Sequence, residues 1–142
     1  MSLKKITPVN IQLSTTITQY EAVENHTFDV MGQATQMGDT LYLRYKEETD
    51  GEIPVTIKIE PDGTVGLIRA GETRTKLRFG KGERYVTHYT TPQGMVSLET
   101  MTNHLQISLM DQPFRGNLEI HYDLYMGKEK LGEYKLQLLF TA

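Results

Sequence analysis

The sequence predicts an all-β protein, folded as a single antiparallel up-and-down β-barrel of about eight to ten strands. Three observations carry this prediction. Apolar and polar residues exchange at every second position along most of the chain, most clearly where Leu118, Ile120, Tyr122, Leu124 and Met126 alternate with Glu119, His121, Asp123 and Tyr125. Glycine-containing turns recur after nearly every such run, and no run long enough for a helix carries an apolar stripe of helical period. A period of two sends one set of side chains to a buried face and the other to water. Closing so large a sheet removes its two exposed edges; a sandwich is the alternative.

The elements follow in order. Val9, Ile11, Leu13 and Ile17 share one face of a long first strand, against Asn10, Gln12, Ser14, Thr16 and Thr18. A less regular second strand runs from His26 to Met37, where Phe28, Val30, Gly32 and Ala34 share a face and the small residues predict a bend or a close backbone approach. Gly38-Asp39 turns the chain into Leu41, Leu43 and Tyr45, opposed by Tyr42, Arg44 and Lys46, and Asp50-Gly51 ends that strand. Ile53, Val55, Ile57 and Ile59 come next. Pro61-Asp62-Gly63 then supplies the strongest hairpin signal, because proline presets the first corner and glycine takes the left-handed one. The return strand is Val65, Leu67, Arg69. Gly71-Glu72 leads into Leu77 and Phe79, and Gly80-Lys81-Gly82 into Tyr85, Thr87, Tyr89 and Thr91, which Pro92-Gln93-Gly94 closes. Val96, Leu98 and Thr100 form a further strand, and Leu105, Ile107 and Leu109 a separate short one. After Gly127-Lys128, the run Tyr134, Leu136, Leu138, Phe140 answers the strand that began at Leu118.

A chain of 142 residues suits one domain, residues 1–142, able to bury roughly 68 to 70 per cent of its unfolded surface. Cysteine is absent, which excludes disulfides, thiolate metal sites and thiol nucleophiles and agrees with a cytoplasmic location. No apolar run resembles a secretory signal or a membrane span. The formal charge is −3, with both signs scattered along the chain, which argues against a nucleic-acid surface. One local exception is the crowding of Arg69, Arg74, Lys76, Arg78, Lys81 and Arg84 into sixteen residues. Charges on a strand guard a sheet edge against stray pairing, and the same charges would suit an acidic partner.

Ile68-Arg69-Ala70-Gly71, then Phe79 and Gly82, then Tyr89-Thr90-Thr91-Pro92-Gln93-Gly94, then Gly116 with Leu118, Ile120 and Tyr122, together resemble the YwiB-like family. That resemblance implies a small bacterial protein of unknown function with a calycin-like, lipocalin-like barrel. It extends from about Val9 to Phe140. Gln93 stands where the family usually has an aromatic residue, and the chain has no tryptophan, so the Gly-x-Trp opening of lipocalins is missing. Fold likeness alone does not supply a ligand.

Parity places Tyr45 with Leu41 and Leu43, Arg69 with Val65 and Leu67, and Tyr122 with Leu118 and Ile120, so three polar side chains face inward. Tyr89 joins them, and Glu47 continues the Tyr45 face. A guanidinium taken from water needs a partner, so Arg69 either pairs with Glu47 near the rim or anchors an anionic ligand. His26, His88, His104 and His121 have no two-residue spacing that would set two imidazoles on one strand face, so no metal site is expected. Ser97 could meet His88 across a hairpin, but no Gly-x-Ser-x-Gly elbow surrounds a serine, and no catalytic residue or cofactor is expected. The reading favours a non-enzyme. Its leading form is a barrel that holds a small amphipathic or anionic ligand in its lumen, with Arg69, Glu47, Tyr45, Tyr89 and Tyr122 around it. The alternative is a solid-core interaction module that uses the basic patch or a homodimer interface.

Overall fold

The computed structural model describes residues 5–47, 52–71, 74–111 and 114–142, without the side chains of residues 5, 89 and 90. Ten strands occupy nearly all of it: β1 (Lys5–Gln19), β2 (Ala22–Met37), β3 (Thr40–Glu47), β4 (Ile53–Ile59), β5 (Val65–Ala70), β6 (Arg74–Phe79), β7 (Arg84–Thr91), β8 (Gly94–Asp111), β9 (Phe114–Met126) and β10 (Glu129–Thr141). The sheet order is β6-β5-β4-β3-β2-β1-β10-β9-β8-β7, which is chain order wound round a nearly closed antiparallel barrel. Among the described residues no helix is long and apolar enough to cross a membrane. The turns read at Asp50-Gly51 and Gly71-Glu72 lie wholly or partly outside the described residues.

The alternating apolar set lines the inner face. Ile11 pairs with Phe140 and Leu13 with Leu138, which in turn faces Leu118, so one ladder row after another delivers apolar side chains to the same interior. Phe79, Phe140, Leu43, Ile57, Leu118, Ile120 and Leu138 are fully buried, each worth roughly 1.5 to 3 kcal/mol in transfer terms. Leu41 and Ile59 on β3 and β4 line one open cavity of about 290 Å³ together with Ile107 and Leu109 on β8, so facing walls approach each other at that end. The bare face of Gly116 receives the Phe140 ring and Leu109, and no larger residue would leave room for that ring.

Three features differ from the sequence reading. The runs Val96–Thr100 and Leu105–Leu109 are one strand, β8, because the ladder with β9 shifts register between Thr102 and His104. The bulge flips the inward parity from even to odd positions, which looks like a strand break when only alternation is read. Second, β2 starts at Ala22 rather than His26. Its turn from β1 puts Tyr20 at φ 48° and Glu21 at φ 68°, the left-handed pair that a tight hairpin demands, but without glycine or asparagine to announce it. Third, β6 and β7 do not pair although Gly80–Glu83 joins them directly. The seam is closed instead from β8: Thr100 Oγ1 donates to the Arg78 carbonyl at 2.6 Å, and Gly80 N–H donates to Thr102 Oγ1 at 3.3 Å. Gly82 N–H donates to the Thr102 carbonyl, and Thr102 N–H to the Glu83 carbonyl.

Among the described residues the barrel wall also parts between β2 and β3. The β2–β3 ladder covers only Gln33 to Met37, whereas β2 pairs with β1 along its whole length from Ala22. Gly32 marks the point of departure, where an added Cβ would press on the Arg44 carbonyl oxygen at 2.5 Å, Ile11 Cδ1 at 2.7 Å and Tyr45 Cβ at 3.2 Å, as its small size predicts.

Candidate functional site

The ladders set Tyr45 opposite Val55 and Val55 opposite Arg69, so Tyr45 and Arg69 occupy one inward row, two strands apart. Glu47 is the next inward position on β3. Arg69 Nε donates to Glu47 Oε2 at 2.8 Å, with the Arg69 side chain 40% exposed and that of Glu47 17% exposed. This is the rim pairing, and it meets the guanidinium charge from within the protein. The buried Tyr45 phenol is pushed well above the ordinary tyrosine value, first by desolvation and then by the Glu47 carboxylate, with Arg69 pulling the other way. Its ring lies 6.4 Å from that of Phe28.

Tyr122 belongs to a different group. It stacks on Tyr134 at 5.0 Å and meets Phe79 at 4.6 Å, and its ladder partner on β8 is Thr102, beside the seam. Burial pushes its phenol up as well, with Tyr134 adding to the shift. The Tyr89 side chain lies outside the described residues. The structure thus brings Arg69, Glu47 and Tyr45 together and leaves Tyr122 with the core aromatics.

The basic run is distributed over partners. Arg78 approaches Glu60 at 3.8 Å and lies over the Tyr85 ring, while Arg84 pairs with Glu99 at 3.3 Å and lies over Tyr125. Arg74, Lys76 and Arg78 alternate along β6, a strand at the end of the sheet order, and are exposed. That is the arrangement of a guarded edge.

Two constellations on the outer wall were only partly legible. Ser97 Oγ and His88 Nδ1 lie 2.7 Å apart across the β7–β8 hairpin, on an exposed face with no elbow or enclosed floor. The β8 bulge brings His104 beside His121, with ring centroids 4.7 Å apart, and Glu119 Oε1 sits 3.1 Å from His121 Nε2 and 3.6 Å from His104 Nε2. The switch of apolar parity between Thr102 and Leu105 was the available signal for this pair. Among the described residues, no three His, Asp or Glu side chains form a set able to hold a metal ion.

Where β2 leaves β3, a groove of about 490 Å³ is lined by Val30, Met31, Gln33, Arg44, Lys46 and Pro54, among others. Among the described residues, Ala22 to Gly32 have a ladder partner only on the β1 side. Every second residue of such a strand points its N–H and C=O away from its single neighbour, so this edge offers a row of unpaired backbone groups. It contains no lysine, arginine or proline, and its register with β1 is unbroken. Val23 and Met31 stand out from it at 59% and 66% exposure.

Residues 11–138 match the family model described as "Domain of unknown function (DUF1934)". The chain belongs to this family. It is 27% identical over 129 residues to the "Uncharacterized beta-barrel protein YwiB" of Bacillus subtilis (strain 168), covering 90% of this chain and 89% of that one. The crystal structure of the ywiB protein from Bacillus subtilis superposes with a TM-score of 0.82 at 24% identity, over 96% of this chain and 92% of that one. That likeness shows a shared β-barrel fold.

Proposed function

We propose that this DUF1934 protein is an interaction module with a packed core, which takes an extended polypeptide segment along the open half of β2. The observation that carries the reading is the edge from Ala22 to Gly32, unpaired on one side among the described residues and without the basic residues that guard β6. An added strand would satisfy its backbone groups and draw specificity from alternate side chains, as in other cases of strand addition. The groove at the end of the edge extends the same surface, with Arg44 beside it and Lys46 paired to Glu52 at 3.4 Å.

Carriage of a small amphipathic or anionic ligand in the lumen has less support. Fully buried aliphatic and aromatic side chains crowd the inner face, and Glu47 already meets the charge of Arg69. A cytosolic setting agrees with the absence of cysteine.

The test is native mass spectrometry of freshly purified protein, joined to amide hydrogen exchange over a range of concentrations and with candidate partners. Complexes built on the 16.2 kDa chain are expected, with protection gained across Ala22–Gly32 as they form. A chain that stays monomeric with a retained small-molecule adduct, and gains no protection in β2, would return the lumen to first place.

A further inference from the structure

We propose that the segment seated on the open half of β2 is the same half of β2 from a second copy of this chain, paired antiparallel about a two-fold axis at Thr27. The inference rests on the strand-accepting reading and adds a partner and a register to it. Three features of the edge single out self-pairing.

The first is geometric. In an antiparallel ladder, residues opposite each other must both turn their backbone groups to the partner or both turn them away. Two copies of one strand can therefore pair only in registers whose opposed residue numbers add to an even sum. The open edge runs from Ala22 to Gly32, with Thr27 at its centre, and pairing over its full length satisfies this parity. Thr27 then faces Thr27 of the second copy, and the interface is isologous, as closed two-fold dimers require.

The second is chemical. This register sets Val23 opposite Met31 twice, once on each side of the axis. These are the large apolar side chains that stand most exposed on β2, and in this register each becomes the other's cross-strand neighbour. Neighbouring registers lose this match: moving the axis to His26 sets Val23 against Asp29, and moving it to Phe28 sets Met31 against Asn25. In the central register Asn25 faces Asp29, Glu24 faces Val30 and His26 faces Phe28, so no like charges are opposed.

The third is the charge at the end of the ladder. The pairing runs out where β3 takes over at Gln33, beside the groove with Arg44 and Lys46. The hairpin tip of the second copy, carrying Glu21 next to the exposed Tyr20, arrives at that cationic lip. Lys46 is engaged by Glu52 at 3.4 Å, so Arg44 is the cation that meets the acidic tip, twice in one dimer, which favours this partner over a basic peptide.

The chain has no cysteine, so single cysteines placed on β2 report the register without background. Thr27, Asn25 and Asp29 are exposed, and each can be changed without disturbing the core. Under mild oxidation, Thr27→Cys is expected to form a covalent dimer about tenfold faster than Asn25→Cys or Asp29→Cys alone, because paired Cα atoms in antiparallel strands fall within disulfide range. Mixing Asn25→Cys with Asp29→Cys should give the mixed dimer at a rate comparable to Thr27→Cys. Sedimentation equilibrium adds a second readout. Val23→Lys with Met31→Lys opposes like charges and is expected to weaken dimerisation by about tenfold or more, whereas Val23→Glu with Met31→Lys restores it in a salt-sensitive form. Equal cross-linking of all three single cysteines, or none from Thr27→Cys, would overturn the proposal. If β2 amides still gain protection on complex formation in that case, strand acceptance survives with a different partner or register; if they do not, both readings fall.

Discussion

Glu47 and Arg69 hold each other at the rim, and the consequence of removing either is asymmetric. Arg69→Met leaves a largely buried carboxylate beside the Tyr45 phenol with no counter-charge, an arrangement expected to cost about 1 to 2 kcal/mol. Arg69→Met together with Glu47→Gln should recover most of that loss. A urea-denaturation double-mutant cycle measures the coupling, and strictly additive effects would show that the pair contributes nothing. The tyrosines carry a second expectation. Tyr45 and Tyr122 have folded-state values raised above the ordinary 10.0 by burial, so the folded state holds their protons where the unfolded chain releases them. Their contribution is complete below about pH 10 and is lost as pH climbs beyond it. The unfolding free energy should therefore fall as pH rises above about 10, by roughly 1.4 kcal/mol per group per pH unit at the steepest, and Tyr122→Phe should flatten that decline. An unfolding free energy that holds steady there would contradict the assignment.

At the scale of elements, the seam on β8 rests, among the described residues, on two threonine hydroxyls and two backbone bonds rather than on a ladder. Thr100→Val and Thr102→Val keep the shape of the side chain and remove its hydroxyl. Thr100→Val strands the Arg78 carbonyl and Thr102→Val the Gly80 N–H, each at an expected cost of about 1 to 3 kcal/mol. The two sites are close enough to couple, so the double variant should lose less than the sum. Equilibrium unfolding measures the losses, and hydrogen exchange should show β6 amides opening before those of β9 or β10. Threonines that could be replaced at no cost would leave the closure without an explanation.

For the whole molecule, period-two alternation was enough to give the all-β class, the inward set and a strand count close to the observed ten, because burial on one side of a sheet imposes that period directly; the barrel followed from the need to remove exposed edges. Tyr45, Leu138 and Phe140 are buried as their parity required. What alternation could not show were departures from it. The bulge in β8 looked like two strands, and the Tyr20-Glu21 turn was silent because neither residue is a usual occupant of left-handed backbone. The site was legible in part: Arg69, Glu47 and Tyr45 converge through a register that parity implies, while Tyr122 lies with Phe79 and Tyr134 because facing the interior does not fix a position along the barrel axis. The open half of β2 was out of reach, since the length of a ladder depends on how strands splay in space. The hydroxyl closure has a last consequence. A cylinder fastened along one line by two hydroxyls and two lone backbone bonds has a built-in clasp, and its walls can come apart there without breaking any of the long ladders. Opening along that line leaves the ladders that run from β6 round to β7 intact.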